Sequence, residues 1–491
     1  MCTGIYIGKK VSADGRCIIA RTEDETVSVN PKLFLVEPSE TKPGRFMTDT
    51  GKDRKPLSYS MPIHTFKYTR VPDAHIEEDG AYASICINEH GLAITATMSL
   101  MDINEDFQKL DPLKNVGEGI REACIPDLIA CQARSCREAL ALLGNYMEKV
   151  GAEEPGALML TDKEEAWFYE FYGGHSYIGM RFADDEMAVL GTQVMMGWVD
   201  FDDRSGDYVY SSNLKEILDR MPRLVRDSKG RYHIAKTISL AERDPFLSLR
   251  VWRGHQLFDP SVSGEFSAKD IYPLCFQPDR LISLEEILAF CGDRFDGSSY
   301  DMMLEENKGC FPAGDDYQAH AHVIELIPEL PDNCCYIQWL SMGNARYSPF
   351  VPAFSGITDT ERHYKYDSAA NGSEDYSWYD LGKRLWALGK ADQKNIGLGL
   401  RQYQLDESNQ MTEEILSYIP DVAGRYRIGK KEGDTLVTEL SQKIAGREYQ
   451  RQLDLYRKLV YFNIRNLADY MEPIPFGADS KQKTDSGKTD L

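Results

Sequence analysis

The residues with the clearest chemical potential stand at the start of the chain: Cys2, then Arg21 and Asp24 in the run Ala20-Arg21-Thr22-Glu23-Asp24. Methionine aminopeptidases remove a leading Met when the next side chain is small, so Cys2 is expected to become the first residue. Its thiol and free α-amine then share one carbon, placing a nucleophile beside a base of reference pKa ~7.7–8.0 at no folding cost. An amine half deprotonated near neutral pH suits proton transfer from the thiol and on to a leaving nitrogen. Arg21 keeps its charge and can hold an anionic intermediate, while Asp24 can accept a hydrogen bond from the α-amine and orient it. A Cys near a terminus also serves as a small buried hydrophobe, and Arg-x-x-Asp is common on surfaces. With no apolar signal region before it, Cys2 is not expected to carry lipid.

The elements that would position these groups follow from the apolar pattern. Ile5-Tyr6-Ile7 and Cys17-Ile18-Ile19-Ala20, around the turn Ser12-Ala13-Asp14-Gly15, predict two paired strands. The pairing would carry Arg21 and Asp24, at the exit of the second strand, back to the chain start. Residues 43–62 are polar and turn-rich, the expectation being a loop over the site. Strands are predicted over 81–88 and 92–98 around the turn Glu89-His90-Gly91, then paired helices from 119 to 150, then strands over 157–161, 166–170 and 188–191. Strands, two helices and strands again suggest two stacked sheets with helices outside. Ser283 and Glu286 form a capping-box start to a helix. His320 and His322 share one face of a strand, but no Cys or carboxylate cluster near them in sequence argues for a metal.

Met1-Cys2-Thr3, the turn from Gly8 to Gly15, Ala20-Arg21-Thr22-Glu23-Asp24 and Val29-Asn30-Pro31-Lys32 resemble, in order and spacing, the start of the cysteine-type N-terminal-nucleophile dipeptidases, the dipeptidase A group. The wider superfamily includes conjugated bile acid hydrolases and penicillin V acylase. The resemblance implies an α+β fold, a four-layer αββα sandwich of two antiparallel sheets flanked by helices. It also implies a mature chain that begins at Cys2, with Arg21 and Asp24 in the active site. It covers a single domain over 1–472 with a C-terminal helical elaboration, leaving 473–491 as a polar tail expected to be disordered. Asn88 opens the stretch that resembles the family's Asn-Glu-x-Gly strand pair beside the nucleophile, and is a substrate-binding candidate on that ground. Met98 stands where the bile acid hydrolase branch has Asn. That departure speaks against a bile acid substrate and leaves the Met98 backbone N–H as the candidate oxyanion donor. Thr192 occupies the place of the superfamily's oxyanion Asn, with a hydroxyl of shorter reach, and Gln193 beside it lines the site or points elsewhere. Arg250-Val251-Trp252-Arg253 resembles the family's Arg-x-x-Arg, and the active-site role is carried to Arg250, with Arg253 as the other choice.

The whole chain sets outer bounds. Its 491 residues, 42% hydrophobic, suffice for a large core, and no run approaches the ~20 apolar residues that span a bilayer. A formal charge of −22 argues against nucleic acid and anionic membranes as partners. Eleven cysteines, with no Cys-x-x-Cys, fit a reducing cytoplasm. The function expected is therefore a cytoplasmic amidohydrolase that cleaves dipeptides or short peptides through an acyl-enzyme on Cys2, needing no metal or organic cofactor. Its expected partners are the substrate and the methionine aminopeptidase that exposes Cys2; a homo-oligomer stays open. Loss of Asp24 is expected to cost activity with little stability. The alternatives are an acylase for a non-peptide amide and a catalytically inactive member.

Overall fold

Two short apolar runs and a glycine turn build the first hairpin. In the computed structural model, Cys2–Ile7 pairs antiparallel with Ile18–Asp24, setting Cys2 opposite Glu23 and Gly4 opposite Arg21. Gly15 supplies the turn with φ +68°, a conformation glycine adopts without strain. Arg21 and Asp24 thus lie inside the second strand, not beyond its exit, because pairing continues to its last residue. The structure describes residues 2–25, 30–52, 54–80, 82–259, 261–262, 264–368 and 375–470; the tail expected over 473–491 lies outside them.

Among the described residues this hairpin is the middle of a seven-stranded sheet. Met187–Leu190 flanks Cys2–Ile7, and Gln318–Leu326 flanks Ile18–Asp24, followed by Tyr336–Met342 and Val351–Phe354. Every residue of Cys2–Ile7, Ile18–Asp24 and Gln318–Leu326 is buried, as expected of strands covered on both faces. An eight-stranded antiparallel sheet faces it, with Gly156–Thr161, Ala93–Ser99 and Ile85–Asn88 side by side. Polar side chains stitch the two faces: Tyr336 Oη donates to the carbonyls of Gly91 and Thr161 at 3.1 and 3.0 Å.

Ile125–Ala130 and Cys136–Lys149 pack on the outer face of the eight-stranded sheet, where Leu128, Leu140, Leu143 and Met147 are buried. Pro245–Phe258, Trp378–Ala391, Leu398–Ser417 and Lys430–Tyr470 lie against the seven-stranded sheet. The layers are therefore helix, sheet, sheet, helix, the α+β sandwich the sequence suggested. The capping box at Ser283 and Glu286 is present. Residues 43–62 depart from expectation: Phe46–Asp49 and Leu57–Ser60 pair as a hairpin. No helix among the described residues is long and apolar enough to cross a membrane.

Candidate active site

Alternation along the central hairpin decides what each side chain meets. Cys2, Arg21 and Glu23 point to one face, toward the eight-stranded sheet; Thr3 and Asp24 point to the other. Cys2 is 5% exposed, and Arg21 Nη2 donates to its Sγ at 2.9 Å. A guanidinium on the sulfur stabilises the negative charge a nucleophilic thiol must develop. Burial works against the Arg21 charge, but Cys2 and Glu23 outweigh it and raise its pKa above the usual value. Arg21 Nη1 also reaches the Ser84 carbonyl at 3.4 Å.

Asp24 and Arg250 form a buried ion pair, Nη1 to Oδ2 at 2.7 Å, and the same Nη1 donates to Thr3 Oγ1 at 3.1 Å. The register sets Asp24 one place beyond the Cys2 and Glu23 pair, on the N-terminal side of Cys2. That puts the carboxylate one residue beyond Cys2 along the hairpin, on the face opposite the thiol. Arg250 comes from the helix Pro245–Phe258, capped by Asp244 with Pro245 in its first turn. Its neighbour Arg253 turns away to Asp293, with Nε and Nη2 each 3.0 Å from a carboxylate oxygen. Only Arg250 of the two meets the hairpin.

Met187–Leu190 pairs with Cys2–Ile7, Gly4 opposite Leu190, and Thr192 follows two residues past the end of that pairing, at the end of the strand where Cys2 lies. Thr192 is fully buried, and its Oγ1 has no hydrogen-bond partner among the described residues. An unmatched buried hydroxyl costs about 1–3 kcal/mol, a cost that a site recovers when the hydroxyl has a ligand atom to serve. The turn that presents it is held by buried carboxyl groups. Asp102 Oδ1 accepts from the Val194 N–H at 2.7 Å, and Glu170 accepts from the Met195 and Met196 N–H groups at 2.7 and 3.2 Å. Met98 lies in Ala93–Ser99, just past a β-bulge at Ala96, on the sheet that Cys2 faces; its side chain lies outside the described residues. The bulge leaves Thr97 unpaired, with Met98 next to it opposite Ala157.

Two candidates sit elsewhere. Gln193 Oε1 accepts from Ser248 Oγ at 2.8 Å and its Nε2 meets Met195 Sδ, so the side chain is turned to the helix Pro245–Phe258. Asn88 donates to the Ala130 and Ala133 carbonyls at 2.8 and 2.7 Å and accepts from the His90 and Leu92 N–H groups. Its side-chain polar atoms are engaged by the hairpin turn and the helix beyond it. Sequence reasoning missed Glu23 and Lys32. Lys32 Nζ is 3.0 Å from Glu23 and 2.8 Å from Glu25, and contacts Asp73 as well. Burial pushes Glu23 up, but Lys32, Arg21 and His320 outweigh it and hold the carboxylate well below its usual range. The signal was present, as Glu23 and Lys32 both belong to the N-terminal stretches that carry the resemblance. His320 and His322 also join this cluster; among the described residues no group of three or more His, Cys, Asp and Glu is arranged to hold a metal.

The sequence profile of peptidase family C69 matches residues 1–405. The chain belongs to peptidase family C69. Relatives of this C69 peptidase include a probable dipeptidase B of Streptococcus pyogenes serotype M1, 28% identical over 439 residues that cover 84% of this chain and 85% of that one. Dipeptidase A of Lactobacillus helveticus is 26% identical, covering 94% of this chain and 96% of its own. Among solved structures, a C2A mutant of the conjugated bile acid hydrolase from Clostridium perfringens aligns at a TM-score of 0.33 and 14% identity, over 70% of this chain and 89% of that one.

Proposed function

We propose that the protein is a cytoplasmic dipeptidase whose nucleophile is Cys2 once Met1 has been removed. The observation that carries the reading is the Arg21 guanidinium 2.9 Å from Cys2 Sγ, at the start of a strand in a C69 peptidase chain. The relatives named dipeptidases support dipeptides as substrates. The thiol proton passes to the Cys2 α-amine as sulfur attacks the scissile carbonyl carbon. The tetrahedral oxyanion takes hydrogen bonds from the Met98 N–H and Thr192 Oγ1, such a donor supplying ~2.7–4 kcal/mol. The C–N bond breaks, the α-amine returns the proton to the leaving amine, and a thioester remains. Water then attacks the thioester, and the thiol and free acid are restored. Asp24, anchored by Arg250, orients the α-amine. Methionine aminopeptidase is the processing partner, and the strongly negative charge leaves nucleic acid and membranes out of the account.

The test is a panel of dipeptides and acylated amines with the purified protein, its N-terminus read by intact mass. Hydrolysis of dipeptides by a chain lacking Met1 is the expected result. Cleavage of acylated amines alone would move the substrate class to the acylases, and retained Met1 with no turnover would favour an inactive member.

A further inference from the structure

Behind the nucleophile runs a line of buried polar side chains that links the two sheets and that the reaction above does not use. Glu23, opposite Cys2 in the hairpin, has its Oε2 2.8 Å from His320 Nδ1. His320 Nε2 is 3.1 Å from His322 Nδ1, and His322 Nε2 is 2.9 Å from Thr95 Oγ1. The two histidines pair with Glu23 and Arg21 across the strand Gln318–Leu326, so all four side chains face the opposing sheet. Thr95 belongs to that sheet, three residues before Met98 and just ahead of the bulge.

The carboxylate assigns the proton positions along the line. It is an acceptor only, so the 2.8 Å contact favours the proton on His320 Nδ1 and leaves Nε2, which Ser84 Oγ also approaches at 3.2 Å, to accept. His322 Nδ1–H then donates to His320 Nε2, and the Thr95 hydroxyl donates to His322 Nε2. Burial holds both histidines below their usual pKa, with Arg21 and Lys32 nearby adding to the effect on His320 and Arg21 adding to it on His322, and Glu23 opposing it for both. The neutral ring pair this arrangement needs is therefore the favoured state. Lys32 and Glu23 anchor one end: Glu23 Oε1 is 3.0 Å from Lys32 Nζ and 4.0 Å from Arg21 Nη2, the group that contacts Cys2.

We propose that Glu23, His320, His322 and Thr95 are positioning residues: a directional polar line that fixes the strand offering the Met98 N–H against the strand that aims Arg21 at Cys2. The inference rests on the dipeptidase reading and adds to it the device that sets the spacing between nucleophile and oxyanion donor. A purely apolar contact between these faces would allow sliding, whereas four matched polar partners have one register.

Thr95→Val, which keeps shape and strand preference, and Thr95→Ser, which keeps the hydroxyl, test it in the full chain with Met1 removed. Because the oxyanion exists only in the transition state, Thr95→Val should lower kcat about tenfold and leave KM within about twofold, with Thr95→Ser near wild type. Deuterium uptake over residues 93–99 should accelerate in Thr95→Val. An unchanged kcat and uptake in folded Thr95→Val, or a Thr95→Ser as slow as Thr95→Val, overturns the proposal. If Thr95→Val does not fold by circular dichroism, Glu23→Gln is measured instead, and normal kcat there overturns it equally. Wild-type turnover of a dipeptide tests the reading itself; should it fail, the exchange measurement still decides whether the line holds the strands together.

Discussion

A thiol becomes useful here because of what surrounds it within one strand pair. Cys2 is buried with a guanidinium on its sulfur, and burial pushes the thiols of Cys17, Cys124, Cys131 and Cys291 up to about 12. High thiol pKa values of that kind leave those four little thiolate at neutral pH, and the proposed nucleophile is Cys2. Cys2→Ser should therefore cut dipeptide turnover by orders of magnitude while the melting curve stays in place, since a hydroxyl is a far weaker nucleophile at neutral pH. Near-normal turnover by that variant would take Cys2 out of the mechanism. For Asp24→Ala the buried pair points to a cost in stability as well as activity, where the sequence alone pointed to activity. Asp24 and Arg250 are a fully buried pair, and removing one partner strands the other charge, costing about 3–5 kcal/mol. The expected outcome is lost activity together with a clearly lowered unfolding midpoint, read by thermal melting; unchanged stability would mean that Arg250 finds another counter-charge.

At the scale of elements, the hairpin was legible because strand-forming runs flank a glycine turn, and Arg21 and Asp24 followed from its register. The helix that brings Arg250 was also within reach, as Asp244 and Pro245 are a start signal. Tyr177–Arg181 and Leu398–Ser417 were not anticipated. The latter buries Gln404, Glu407 and Ser408 beside Leu400 and Met411, so its apolar stripe is blurred by polar residues that find partners only in the folded state. The turn carrying Thr192 has the same character: its geometry comes from Glu170 and Asp102, distant in sequence, and no local pattern announces it. Glu170→Gln turns one of the two accepting oxygens into an NH2 group that cannot accept, so one of the Met195 and Met196 N–H groups loses its partner, Thr192 should shift and kcat should fall. Burial pushes Glu170 up to about 7, with its hydrogen-bond donors and Asp102 as lesser influences. The unfolded carboxyl loses its proton near 4.5 and the folded one near 7, so between them the folded state holds the extra proton and stability falls as pH rises. Wild type should accordingly lose part of its advantage in unfolding midpoint over Glu170→Gln between pH 5 and pH 7. A gap that widens over that range would contradict the assignment.

Across the whole molecule, the proposed site depends on how the sheet holds Cys2. Cys2–Ile7 is an interior strand of the seven-stranded sheet, with partners on both sides, a second sheet over one face and helices over the other. Asp24, on the N-terminal side of Cys2, is already committed to Arg250 and can orient an amine there, but an amide nitrogen offers it no charge. The proposed base is that amine, so any residues left before Cys2 convert it to an amide, which cannot take the thiol proton at neutral pH. The same residues would also have to pass through the space the substrate carbonyl needs. A protein with an uncleaved N-terminal extension should therefore fold normally by circular dichroism and yet hydrolyse no dipeptide. An extension after Leu491 leaves the Cys2 amine free and should keep full turnover. Removing the N-terminal extension with a protease that leaves Cys2 first should restore the rate, which separates a blocked amine from a damaged fold. Equal rates for the two extended proteins before that cleavage would rule out the α-amine as the base and return Cys2 to the status of an ordinary thiol.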